Sequence, residues 1–334
     1  MPRPPGRKRL KRALRFALLV PVLGPLGWLP RPPARALATF YGWIAYLAMP
    51  GLRARMLRNL EAAFPSWSAG RRKAVARQCL GWVGRCGADF LRLGGGRRAG
   101  LLARIRVDGG EHWEAADRSG RGTLVVSGHL GNWELLGAYL ATGRRPVHVL
   151  HHPFEEARLD RLVGRIRERA GVHPIAARTS IAAGFRVLRE GEILGILIDR
   201  VPRGSAVTCR FFGRECRTAP GAVRLALRSG ALVIPAALWE DGRRGFRLRF
   251  WPPIETTDGS GGSERRIAEL TRALTAKIEE MIREAPGQWP WFYDRWKIPK
   301  DGGPPVPRPA ASRRDDLDRD PRAARPGDLD RLRA

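Results

Sequence analysis

The strongest constraint on the fold is a change of hydrophobic period at residue 128. Thr123–Ser127 (TLVVS) is a short β-rich run, Gly128-His129-Leu130-Gly131-Asn132 turns the chain, and a helical pattern follows from Trp133 to Thr142. The same alternation recurs downstream. A helix over Ser180–Arg189 leads through Gly191 into a strand over Ile193–Ile198 that ends at Asp199. Thr218-Ala-Pro-Gly opens another helix, with Thr218 as a cap and Pro220 in the first turn. That helix passes Ser229-Gly230 into a strand over Leu232–Leu238. Phe246–Phe250 alternates as a strand does, and Ser263–Arg283 reads as a long helix. Strands alternating with helices predict an α/β fold with a mixed, largely parallel sheet flanked by helices.

The flanks read differently. The first 60 residues carry 12 basic residues and no acidic one, around the charge-free runs Phe16–Pro30 and Ala36–Leu52. Each run is short for a helix crossing ~30 Å of hydrocarbon, and prolines interrupt both. With basic flanks and Trp28, Tyr41, Trp43 and Tyr46 at the interface, residues 1–60 read as a membrane-associating helical segment. A pair of buried core helices is the alternative. Residues 61–300 then form the main domain. Residues 301–334 have no aromatic residue but seven Asp, eight Arg and six Pro, the composition of a solvated, disordered tail.

Lys and Arg total 61 against 32 Asp and Glu, a net charge of +29. Such a chain is drawn to anionic lipid or an acidic carrier protein. No zinc-finger spacing, basic-leucine heptad or RNA-binding aromatic motif is present, so a nucleic-acid partner is not expected. Four cysteines without a secretory cleavage pattern predict free thiols, two of them (Cys79 and Cys86) on the apolar stripe of a helix over Arg72–Leu93. No compact set of three ligands suggests a metal.

A histidine five residues before a carboxylate could form a base and its orienting partner. Three such pairs occur: His112/Asp117, His129/Glu134 and His151/Glu156. The first lies in a helix, where positions five apart point ~140° away from each other. The third lies in a polar loop. His129 alone follows a buried strand directly, at the strand end where open α/β sheets hold their ligands. Glu134 falls in the first turn of the next helix, where the helix dipole favours an ionised carboxylate. His129 and Glu134 are therefore the expected catalytic pair.

The block Ser127-Gly-His129-Leu-Gly-Asn132-Trp-Glu134 resembles the catalytic block of the lipid A biosynthesis lauroyl and myristoyl acyltransferases, within the lysophospholipid acyltransferase-like superfamily with its His-x4-Asp/Glu motif. Further blocks resemble that family in order: Met56-Leu-Arg58-Asn59-Leu60 to Ala63-Phe64-Pro65, Leu197-Ile198-Asp199, Phe211-Phe212-Gly213, Gln288-Trp289-Pro290-Trp291 and Arg295-Trp296-Lys297. Two places depart from the pattern. Arg200-Val-Pro-Arg203-Gly204 replaces the usual acidic or amide residue and Gly-rich loop, and His151-His152 stands where relatives often have Tyr-Arg.

The resemblance implies a glycerolipid acyltransferase-like fold. It also implies transfer of a fatty acyl chain from a thioester to a glycolipid hydroxyl, with His129 as general base and Glu134 fixing its tautomer. The acceptor would be a lipid A precursor or another glycolipid, such as a mannosylated phosphatidylinositol. The donor would be acyl carrier protein or acyl-CoA, as co-substrate with no cofactor. The expected location is the cytoplasmic face of the inner membrane. Asn132, Arg178, Asp199, Arg217 and Thr218 are candidate substrate-binding residues, with Arg178, Arg200, Arg203 and Arg217 as candidate phosphate or carrier contacts. A non-catalytic basic membrane- or nucleic-acid-binding protein is the competing reading.

Overall fold

The computed structural model describes residues 24–176, 180–202, 204–242, 245–256 and 263–296. After a short helical stretch at 24–28 come three helices: α1 (Arg31–Ala48), α2 (Pro50–Ala63) and the 25-residue α3 (Ala69–Leu93), capped by Ser68 accepting from the Arg71 N–H. There follow α4 (Arg98–Leu102), β1 (Ile105–Asp108), α5 (Gly110–Arg118), β2 (Thr123–Ser127), α6 (Trp133–Leu140), β3 (Val147–His151), α7 (Ala157–Arg169), β4 (Val172–Ala176), α8 (Ser180–Arg189) and β5 (Ile193–Leu197). The hairpin β6 (Val207–Phe211) and β7 (Arg214–Thr218) precedes α9 (Gly221–Ser229), β8 (Leu232–Asp241), β9 (Gly245–Phe250) and α10 (Glu264–Glu284).

Seven strands make one sheet in the order β1-β9-β8-β2-β5-β3-β4. β2 lies at its centre, parallel to both β5 and β8, and only the β8–β9 pair is antiparallel. All five residues of β2 are buried, as a parallel strand covered on both faces requires. Leu124, Val126 and Leu194 join one core, with α3, α9 and α10. Val125, Ile193 and Ile234 join the other, with α5, α6 and α7. The mixed, mostly parallel sheet flanked by helices is the expected fold class.

α1 and α3 cross so closely that a Cβ on Gly42 would collide with the Leu80 carbonyl, and one on Gly84 with that of Ala38. The buried side of α1 carries Ala34, Ala38 and Tyr46, while Phe40, Trp43, Ile44 and Leu47 form an exposed apolar stripe. Arg31 and Arg35, expected to flank a membrane segment, instead pair internally. Arg31 Nε lies 3.0 Å and Arg35 Nη1 2.6 Å from the fully buried Asp89, and Arg35 also lies 2.9 Å from Glu240. Among the described residues no helix is long and apolar enough to cross a membrane. Phe16–Val20 and the tail from Asp301 lie outside the described residues.

One local expectation needs correction. Thr218 ends β7 rather than capping a helix, because α9 begins later, with Pro220 at its N-cap and no side-chain cap. Phe211-Phe212-Gly213 belongs to a hairpin turn invisible as a strand pair in the sequence; Phe212 (φ +52°) and Gly213 (φ +70°) are both left-handed, the requirement of a two-residue turn that matches strand twist. All four cysteines are buried free thiols, with Cys209 and Cys216 facing each other across this hairpin.

Candidate active site

Parallel register builds the site. Ser127 at the end of β2 lies opposite Leu197 at the end of β5. Two residues further along each chain, His129 and Asp199 again stand side by side, at the carboxyl ends of the central strands. His129 Nδ1 lies 2.8 Å from Asp199 Oδ1, and the His129 backbone N–H donates to Oδ2 at 2.8 Å. Trp289 Nε1 donates to the same Oδ2 at 2.9 Å. Burial alone would raise the Asp199 carboxyl, but the facing His129 charge and these three hydrogen bonds outweigh it and hold the pKa at about 2. With Nδ1 on this fully buried carboxylate, Nε2 is the ring nitrogen that the carboxylate leaves unengaged.

The turn that carries His129 is pinned from three sides. The Gly131 carbonyl accepts from Trp82 Nε1 at 3.0 Å and Cys86 Sγ at 3.1 Å, both on α3. Its N–H donates to the Gln288 carbonyl, and the Asn132 N–H to that of Leu238. Gly131 is left-handed (φ +55°), and a Cβ there would strike the Leu238 carbonyl, so only glycine fits this turn. Trp133 and Tyr293 both meet the His129 ring edge-on, with centroids 5.4 and 5.6 Å away. Arg200, exposed, lies over the Tyr293 ring at 4.8 Å. Burial pushes the Tyr293 phenol up, so it stays neutral beside the histidine.

Glu134 does not serve His129 here. Its carboxylate takes two bonds from Arg167 of α7, at 2.6 and 3.0 Å, and one from Trp133 Nε1 at 3.1 Å. The first turn of α6 carries residue 134 past the indole, and the orienting place expected for Glu134 is filled by Asp199. The other two spaced pairs also separate: Asp117 binds Arg145, and Glu156 caps α7. Burial and the Arg167 charge lower the pKa of His151, which lies at the end of β3.

The remaining sequence candidates scatter. Asn132 caps α6, its Oδ1 accepting from the Leu135 N–H at 3.0 Å. Thr218 is fully buried, bonded to Thr275 Oγ1 at 3.0 Å and Arg295 Nη2 at 2.6 Å. Arg217 reaches the Gly204 carbonyl at 3.4 Å. Arg178 and Arg203 lie outside the described residues. Nothing in the sequence marks Trp289, Tyr293 or Arg167 as site residues, although Trp289 sits inside one of the family-like blocks.

Beyond Trp133 a narrow cleft, with a void of about 70 Å³, runs between the sheet and helices α3, α6 and α7. Glu134 and Arg167 lie on its wall with Ser127, and its deeper lining is apolar, including Val125, Leu140, Val147 and Val172. An open α/β sheet with a half-buried histidine on a fully buried aspartate at its strand ends, and an apolar cleft alongside, suits transfer of a group with a long apolar tail.

The comparisons give the same class, an acyltransferase. Residues 5–298 match the bacterial lipid A biosynthesis acyltransferase family, and the chain belongs to it. It is 28% identical over 286 residues to the lipid A biosynthesis lauroyltransferase of Escherichia coli, covering 83% of this chain and 89% of that protein. It is 26% identical over 262 residues to a lipid A biosynthesis acyltransferase of Haemophilus influenzae, with 78% and 80% covered. It is also 25% identical over 270 residues to the phosphatidylinositol mannoside acyltransferase of Mycolicibacterium smegmatis, with 79% and 86% covered.

Proposed function

We propose that this enzyme moves a fatty acyl chain from an acyl thioester, on acyl carrier protein or coenzyme A, to a hydroxyl of a glycolipid such as a lipid A precursor. The observation that carries this reading is the His129–Asp199 pair, buried on the carboxylate side and backed by Trp289. An alcohol is a weak nucleophile at neutral pH. His129 Nε2 takes its proton as the oxygen attacks the thioester carbonyl, and Asp199 stabilises the imidazolium that forms. The tetrahedral intermediate then expels the thiolate, which takes the proton back from Nε2, so ester and thiol are the products. General-base assistance contributes typically ~10²–10⁴ in rate. The acyl tail lies in the apolar cleft beyond Trp133.

A mannosylated phosphatidylinositol is the second acceptor, favoured by the similarity to the mycobacterial acyltransferase. Either acceptor stays in a bilayer. The exposed stripe of Phe40, Trp43, Ile44 and Leu47 on α1 supports docking on the cytoplasmic face of the inner membrane, where the basic chain meets anionic headgroups. Mass spectrometry of total lipids from cells with and without the gene tests the proposal. One glycolipid is expected to lose a single acyl chain on deletion. An unchanged lipid profile, with no thioester consumption by the purified protein on lipid acceptors, would overturn it.

A further inference from the structure

The apolar cleft has a polar collar at the end nearest His129. On β2 the side chains of Thr123, Val125 and Ser127 point to one face, because strands alternate; Val125 and Ser127 line the cleft. Thr123 Oγ1 has a partner in the Arg121 carbonyl. Ser127 Oγ has none, although the residue is only 2% exposed. Arg167, which also lines the cleft, uses Nε and Nη2 on Glu134, while its Nη1 is buried with no partner. Buried polar atoms are nearly always satisfied, so two orphans on one cleft wall point to a polar atom of the occupant. Everything deeper is apolar.

We propose that this collar selects acyl chains carrying a hydroxyl group close to the carboxyl end, through Ser127 Oγ and Arg167 Nη1. The inference rests on the acyltransferase reading of the cleft and names the donor class. A hydroxyl accepts from Nη1–H and shares a second hydrogen bond with the serine hydroxyl, whereas a methylene leaves both atoms unpaired. Its place on the chain follows from the strand. Ser127 precedes His129 by two residues, about 6–7 Å of strand, which spans only the first few carbons beyond the reacting carbonyl. A 2- or 3-hydroxyacyl chain puts its oxygen there. An unsubstituted chain fills the same cleft less favourably, because a site built to hydrogen-bond a hydroxyl discriminates against the analogue that lacks it.

Calorimetric titration of the full-length protein with dodecanoic, 2-hydroxydodecanoic and 3-hydroxydodecanoic acids decides the matter without turnover. One of the hydroxy acids is expected to bind about tenfold more tightly than dodecanoic acid. Ser127→Ala, which deletes an oxygen that has no partner, is expected to cut that advantage to about twofold or less. Equal or weaker binding of both hydroxy acids, an advantage that survives Ser127→Ala, or no binding of any of the three acids overturns the proposal. If the variant does not fold, the wild-type affinity ratio still decides. The three corresponding acyl thioesters, assayed with lipid acceptors, separate the two readings. Transfer of all three at equal rates would refute hydroxyl selection and keep the acyltransferase. Absence of any transfer would refute the proposed reaction, leaving the binding ratio to judge the collar.

Discussion

At the scale of single residues, chemistry and support are divided among His129, Asp199 and Glu134, and substitutions should separate them. His129→Ala is expected to lower kcat by at least about two orders of magnitude, well beyond what the folded population loses when the buried Asp199 carboxylate is left without its partner, a loss the melting temperature reads. Asp199→Asn keeps the shape but loses the charge facing His129, so it should depress kcat strongly as well. Glu134→Ala should act through the fold, because it strands the Arg167 guanidinium, 13% exposed, on the cleft wall. Removing one partner of a buried pair costs about 3–5 kcal/mol, so stability and activity should fall together. The Asp199 carboxyl also predicts a pH effect. Its pKa drops from 3.8 in the unfolded chain to about 2 in the fold. Its contribution, about 2 kcal/mol, is complete above pH ~4–5 and is lost as pH falls through ~2. The stability gap between wild type and Asp199→Asn, read from denaturant midpoints, should therefore shrink as pH is lowered from 5 to 3; a constant gap would refute the shift. His129 was legible in the sequence because it follows a buried strand directly. Its partner was not, because the sequence displays spacing along the chain while the contact follows strand register, from a residue 70 positions away. Asp199 was visible as the end of the next parallel strand, yet nothing in the sequence states that β5 adjoins β2 with those ends level.

At the scale of elements, α1 presents two faces with opposite tasks. Its inner face is fixed by the Gly42–Gly84 crossing and the Asp89 ion pairs; its outer face offers Phe40, Trp43, Ile44 and Leu47 to solvent. Changing those four to Ser leaves the crossing untouched, so folding should persist. Binding to vesicles containing anionic lipid, measured by sedimentation, should fall sharply, and a high-salt wash should release the variant but not the wild type, because apolar insertion is not screened. Equal retention of both would place the membrane contact elsewhere. The thiols give a second check on packing. Burial pushes Cys79 up to about 12 and Cys216 to about 11. All four cysteines are buried, so they should stay inert to a thiol-specific disulfide reagent at pH 8 until the protein is unfolded. Long periodic elements were readable in the sequence: α3, α10, β2 and β8 fall within a few residues of their expected ranges. The β6–β7 hairpin was not, since its strands are charged on one side and its turn holds Phe212 where a glycine or asparagine is the usual signal. Nor did composition reveal that Arg31 and Arg35 face inward, because the Asp89 that pairs them lies on another helix.

At the scale of the whole molecule, the catalytic geometry depends on how distant segments of the chain are tied together. Trp289 and Tyr293, which hold Asp199 and flank His129, lie in the segment that follows α10. That segment has little regular structure of its own beyond a short turn at Pro286–Gln288. It is fixed instead by Asn59 of α2, whose Nδ2 donates to the carbonyls of Trp291 at 2.7 Å and Tyr293 at 2.9 Å. Trp291 packs with Phe64 and Phe212, so the same segment also joins α2 to the hairpin. Asn59→Ala removes both hydrogen bonds and leaves buried carbonyls unpaired, at a cost of about 1–3 kcal/mol. The loss should not be spread evenly. Because Tyr293 and Trp289 are released first, kcat should fall by more than the drop in folded population accounts for, and the fluorescence of the buried tryptophans should shift to the red below the melting temperature. Asn59→Asp keeps the size but replaces the donor by an acceptor facing two carbonyl oxygens, so it should be worse than Asn59→Ala on both measurements. An Asn59→Ala protein with unaltered kcat and melting temperature would show that the C-terminal segment holds the His129–Asp199 pair without help from α2.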